Sequence, residues 1–210
     1  MGDDRTTAVV WRGSVRRMRD ETRRRQLMDA ALELYGTIGY RATTVQAVCK
    51  SAGVSSRSFY ELYPDQEMLL TELYRALNDE VLSGISGAKV SATDELAASV
   101  RALLARSLEP MLRDGRKARV LEVESVGVSA ELERQRRIAY RTFADAIDEA
   151  FAAFVRAGLT NEAPGGLTSL ILVGGITEAL VQRVQTPESE RSERESFIDE
   201  IAAVILRLIT

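Results

Sequence analysis

The chain contains no histidine and a single cysteine, Cys49, among its 210 residues. Without imidazole there is no histidine-ligated metal site and no histidine-based nucleophile pair. One cysteine excludes an intramolecular disulfide. Aromatic residues make up 6% of the chain and include one tryptophan, Trp11. No apolar run approaches the roughly 20 residues that cross a bilayer. The N-terminus is basic but has neither the apolar core nor the small-residue cleavage site of a secretory signal. No glycine loop followed by lysine is present to cradle a phosphate. These absences predict a cytoplasmic chain with no metal, cofactor or membrane partner, and they argue against an enzyme.

What is present is charge, unevenly placed. The net charge is −3. Residues 1–63 nevertheless carry eleven Lys/Arg against seven Asp/Glu, which leaves the rest of the chain at −7. A basic front on an acidic body places any polyanionic partner at the N-terminal third. A solvated basic tail is the plain alternative.

Apart from residues 1–18, which show no periodicity and are expected to form a mobile basic arm, the chain reads as helix to its end. Leu27, Met28, Ala31, Leu34, Tyr35 and Ile38 form an apolar stripe, with Gly36 and Gly39 as candidate stops. Thr43 is placed to cap the next helix, with Gln46 three residues on completing a capping box. Val45, Val48, Cys49 and Ala52 supply its apolar face, and Gly53 ends it. Ser55 is the expected cap of a third helix, flanked by Val54 and Phe59 as a hydrophobic staple. Pro64 closes that helix. A longer helix over about 65–85 and a loop over 86–92 come next. A helix capped by Thr93 then runs to about Leu112. A short helix over 116–126 succeeds it, and then the longest segment, from Ser129 to near Gly158. After a loop over 159–166, the stretch Leu167–Gln185 is apolar around most of its circumference, and a last helix carries Phe197, Ile198, Ile201, Val204, Ile205 and Leu208. The fold class is all-α, with about nine helices. Domains are expected at 19–64, a three-helix helix-turn-helix, and at 65–210, a helical body.

The segment 43–63 carries the chemistry. A short helix, a glycine turn and a second short helix let one helix enter the DNA major groove. Ser55, Ser56, Arg57 and Ser58 open the second helix with groups that bond phosphates or read base edges. Spacing alone is also compatible with any compact three-helix unit.

The residues themselves are more specific. The runs Gly39-Tyr40-Arg41-Ala42-Thr43-Thr44-Val45 and Ala52-Gly53-Val54-Ser55-Ser56-Arg57-Ser58-Phe59-Tyr60-Glu61-Leu62-Tyr63-Pro64-Asp65-Gln66-Glu67 resemble the N-terminal signature of TetR-family regulators, over about residues 21–70. The resemblance implies a DNA-binding transcriptional regulator, a repressor released from a palindromic operator by a small-molecule effector. An activator on the same scaffold, or a helical adaptor that has lost DNA binding, is the alternative. It assigns DNA contacts to Thr43, Thr44, Ser55, Ser56, Arg57, Ser58, Tyr60 and Gln66, with Thr44 and Tyr60 at positions that often meet phosphates. Two departures stand out. Gln66 occupies the place of a common lysine, and Glu61 adds a negative charge near the DNA face. The eight arginines between Arg5 and Arg25 are candidates to compensate, as an arm along the backbone or in the minor groove.

The resemblance further implies an effector pocket in the middle helices and a homodimer through the last two. Tyr74, Met111, Tyr140, Phe143, Ile147, Phe151 and Phe154 are candidate pocket residues, each of them also compatible with plain core. Glu122, Glu124, Asp145 and Asp148 are candidates to meet a cationic ligand. Gly174-Gly175 sits inside an apolar helix at a cost on the order of 1 kcal/mol per glycine relative to alanine. Close helix approach at a subunit interface would offset it.

Overall fold

A computed structural model describes residues 4–86, 90–163 and 165–209, with side chains from residue 16 onward. Trp11, Arg5, Arg12 and Pro164 therefore lie outside the described side chains. Among the described residues there are nine α-helices and no strand. The chain divides into two compact units, Met1–Leu73 and Tyr74–Thr210.

The first unit holds α1 (Asp4–Thr37), α2 (Val45–Ala52), α3 (Ser56–Leu62) and the start of α4 (Gln66–Ser86). Leu27, Ala30, Ala31 and Tyr35 recur at helical spacing and bury one face of α1 against α2 and α3. Val48, Phe59, Tyr63, Leu69 and Leu70 fill the space between. Arg24 of α1 reaches Glu72 at 2.9 Å and lies over the Tyr63 ring at 5.1 Å, tying α1 to the start of α4. The expected stripe ends early, because Ile38 lies beyond α1 and is exposed.

Two sequence expectations need correction here. The stretch expected as an arm is helical from Asp4, which makes α1, at 34 residues, longer than α7 at 27. Residues 16–19 are exposed. With nothing to bury they need no apolar stripe, and periodicity therefore passes over them. An Arg16–Asp20 pair one turn apart supports such a solvated helix. The cap of α2 is Thr44, not Thr43, and its hydroxyl accepts from the Ala47 amide at 3.2 Å.

The second unit contains the rest of α4, then α5 (Leu96–Arg113), α6 (Gly115–Arg119), α7 (Ala130–Arg156), α8 (Leu167–Gln185) and α9 (Arg194–Ile209). The segment expected as one short helix over 116–126 is α6 followed by a π turn, Val120–Glu124, closed by the Ser125 amide on the Val120 carbonyl at 3.2 Å. Thr93 does not cap α5. It sits in a turn where the Ser91 amide bonds Asp94 at 2.8 Å, and Glu95 precedes the helix without a side-chain cap. Ser129 caps α7 as expected, accepting from the Leu132 amide at 3.1 Å. Asp114 caps α6, and the Arg116 guanidinium beside it holds its carboxyl below the usual range.

α4 and α5 approach closely at Gly84, where a Cβ would stand 2.7 Å from the Arg106 carbonyl oxygen. α5 packs along α9, and α7 along α8. The start of α8 has no cap of its own. Asp148 of α7 serves instead, accepting from the Gly166 amide at 3.2 Å and from the Ser169 hydroxyl. With 19 residues and a mean hydropathy of 1.3, α8 is long and apolar enough to cross a bilayer by those two measures. That corrects the reading that no apolar stretch approaches that length. Its charged residues, Glu178 and Arg183, break the run in sequence without lowering the average far.

Candidate functional site

The α2–α3 corner is built from short-range bonds. Gly53 follows α2 in the left-handed region at φ 65°, which lets the Val54 amide turn back to the Cys49 carbonyl at 3.0 Å. Ser55 then caps α3, accepting from the Ser58 amide at 3.1 Å, with Val54 and Phe59 buried on either side as the staple requires. Burial pushes the Cys49 thiol up, so this cysteine is a poor nucleophile and serves as core.

The residues assigned to DNA fall into three groups. Thr44, Ser55, Ser56, Arg57 and Tyr60 are exposed, and Ser58 is half-buried. Tyr60 is 58% exposed, with its ring edge-on to Phe59 at 5.3 Å. Arg57 pairs with Glu61 one turn on at 3.2 Å. The carboxylate suspected of repelling phosphate is thus partly neutralised by its own neighbour. An exposed pair of this kind contributes only about 0.2–1 kcal/mol and is easily exchanged for another anion.

Thr43 and Gln66 behave differently. Thr43 is 5% exposed and donates its hydroxyl to the Gly39 carbonyl at 2.8 Å, which turns it away from solvent. Gln66 donates its amide protons to the carbonyls of Tyr40 and Thr43, at 3.2 and 3.1 Å. The residue replacing the lysine is therefore a clamp on the loop that leads into α2. No sequence signal announces that clamp, since its partners lie 26 and 23 residues away. Asp65, by contrast, was readable. Three residues before Met68, it accepts that amide at 2.8 Å as a cap for α4.

Of the arginines proposed as an arm whose side chains are described, Arg16, Arg17, Arg19 and Arg25 are exposed. Arg16 and Arg23 face Asp20, and Arg24 is held by Glu72.

The second unit holds a partly open cavity of about 90 Å³. Met111, Phe143, Ile147 and Phe151 line it as expected, and so does Phe154. Tyr74 and Tyr140 do not. Tyr74 is buried facing a separate recess, and burial pushes its hydroxyl up to about 12. Tyr140 is half-buried under the Arg136 guanidinium at 5.8 Å. Of the four carboxylates, only Glu122 reaches the cavity wall. Glu124 pairs with Arg119 at 3.0 Å, Asp145 is exposed, and Asp148 caps α8. Sequence reasoning missed the polar lining residues Asn78, Ser107 and Thr177, which sit among apolar neighbours on three separate helices.

Residues 27–73 match the family model of bacterial regulatory proteins, tetR family. The HTH-type transcriptional repressor KstR2 of Rhodococcus jostii strain RHA1 is 32% identical over 87 residues, which cover 41% of this chain and 42% of that protein. The aligned region thus spans about two fifths of the relative's length. Among solved structures, the fatty acid degradation regulator FadR from Bacillus halodurans superposes with a TM-score of 0.74 at 17% identity, over 88% of this chain and 94% of its own. FadR from Bacillus subtilis in complex with stearoyl-CoA gives 0.72 at 17% identity, over 88% and 98%. The structural likenesses carry the fold, and the family-model match lies within the first unit. Residues 27–73 are thus similar to the tetR family of bacterial regulatory proteins, and the chain shares the fold of the regulators it superposes on.

Proposed function

We propose that this chain is a DNA-binding transcriptional regulator, a homodimeric repressor that leaves a palindromic operator when a small molecule enters the second-unit cavity. The observation that carries the reading is the α2–Gly53–α3 corner, where Ser55, Ser56, Arg57 and Tyr60 are exposed over a closed core. It lies inside the segment that matches the family. Thr44 adds a hydroxyl at the start of α2. Thr43 and Gln66 support the corner from behind. Such a regulator would work in the cytoplasm.

Dimerisation through α8 and α9 is supported by what those helices leave uncovered. Leu170 and Ile171 of α8 and Val204 and Leu208 of α9 are exposed. A Cβ added at Gly174 or Gly175 would meet nothing within 4 Å. The glycines of α8 therefore serve no close approach within one chain, and a second copy is the natural partner for them. A two-fold dimer presents two α3 helices to successive major grooves about 34 Å apart, which calls for a palindromic site. An effector that favours another arrangement of the two copies releases the DNA.

Titrating the full chain against DNA from upstream of its own coding region tests this. Affinity should fall steeply and linearly with salt on logarithmic axes. Arg57→Ala and Tyr60→Phe should each weaken it by about tenfold without changing the melting temperature. Absent or salt-independent binding would overturn the reading.

A further inference from the structure

We propose that the second-unit cavity takes a compact apolar molecule bearing one ammonium group, and that Glu122 is the residue that receives it. The inference rests on reading this unit as the effector domain. The wall is otherwise apolar, and its few polar groups are accounted for one by one. The Asn78 amide donates to the Tyr74 carbonyl at 2.7 Å, and the Ser107 hydroxyl to the Leu104 carbonyl at 3.1 Å, so both donate within their own helices and offer a ligand only neutral oxygen acceptors. Thr177 brings a neutral hydroxyl. Among the described residues, Glu122 is the one ionisable side chain on the wall. Among the described residues its carboxyl makes no hydrogen bond or ion pair within contact distance.

The nearest cation does not fill that role. Arg136 donates to the Leu121 carbonyl at 3.0 Å and the Ser125 hydroxyl at 2.9 Å, and it pairs with Glu133 at 3.7 Å. It fastens the end of the π turn and relieves the Glu122 charge only from a distance. A carboxylate left in apolar surroundings without a partner is costly to the fold. Such a cost with no structural return marks a binding group. An ammonium supplies the missing charge and proton donors at once. A ligand carboxylate would instead set two like charges in a poorly solvated space. The size follows from the volume: about 90 Å³, at about 10–15 Å³ per water-sized group, holds about six to nine of a ligand's heavy atoms.

Burial pushes Glu122 up to about 7. Near it stand Tyr74 of α4 and Arg136 of α7, while α5, α8 and α9 present only uncharged side chains to the cavity. Burial keeps the Tyr74 hydroxyl protonated between pH 6 and 8. Glu122 is thus the group that titrates in that window. Below it the carboxyl is neutral and attracts an ammonium less.

Calorimetry of the full chain without DNA provides the test, using 3-phenylpropylamine, 3-phenylpropan-1-ol and 3-phenylpropionate. The amine should bind at least tenfold more tightly than the alcohol, with the propionate weakest. Its affinity should fall severalfold from pH 8 to pH 6, while the alcohol's stays level. Glu122→Gln should cost the amine at least tenfold and leave the alcohol within twofold. If that variant loses the alcohol too, Glu122→Asp, which keeps the charge, should retain the amine preference. Equal binding of the three compounds, a level pH profile for the amine, or an amine affinity unmoved in Glu122→Gln would each overturn the proposal. Because no DNA is present, failure of the repressor reading shows separately, as amine binding that leaves a DNA complex intact.

Discussion

The first unit closes its core around Leu27, Tyr35, Phe59, Tyr63 and Leu69, none more than 2% exposed, whereas the second leaves a cavity between helices of comparable apolar character. The filled unit displays short side chains, serines, an arginine and a tyrosine, whose use depends on fixed positions. The hollow one has empty volume that an incoming molecule can occupy. Packing density therefore divides along the same line as the two proposed tasks. A surface that must match a rigid duplex is backed by large buried rings. A site that must respond is backed by space.

Mutations can break or sharpen that contrast. The largest effect is expected from Phe59→Ala, which hollows the first unit. It should cost about 3–5 kcal/mol in urea unfolding and abolish DNA binding, while hydrogen exchange in α5 and α9 stays near the parent's. Gly84→Ala comes next. It probes one place where the second unit is as tight as the first, since the new methyl would meet the backbone of Arg106 and Ser107. A loss of about 1–3 kcal/mol is expected; a neutral result would mean that α4 and α5 separate freely and that the unit is loose throughout. Gln66→Ala should have the smallest effect, about 1–2 kcal/mol for two hydrogen bonds. Because these bonds hold the loop before α2, DNA affinity should drop as well, although no charge is lost. Affinity and stability both unchanged would show that Gln66 is a bystander.

Most of the first unit was legible because its signals act within a few residues. Gly53, Ser55 and the Val54–Phe59 pair specify the corner through neighbours no more than five positions away. Even the error at Thr43 was a shift of one residue between two threonines, either of which offers a hydroxyl. Only the environment decides that the first donates to Gly39 and the second caps the helix. The features that sequence reading missed act over distance. Gln66 reaches back across the whole α2–α3 motif, and Asp148 caps a helix 18 residues further on. The cavity assigns Phe143 and Ile147 to its wall but leaves out Tyr74 and Tyr140, which share their apolar pattern. Periodicity says which face of a helix is inward; it does not say whether the inward face meets another side chain or a void.

The π turn at Val120–Glu124 has a consequence of its own. A turn that accommodates one extra residue rotates the downstream side chains by roughly 100° relative to a regular helix. Leu121 and Glu122 face the cavity in that phase. The chemical character of the pocket is thus set by a count of residues as much as by their kind. A single deletion in this short segment would turn a different side chain inward.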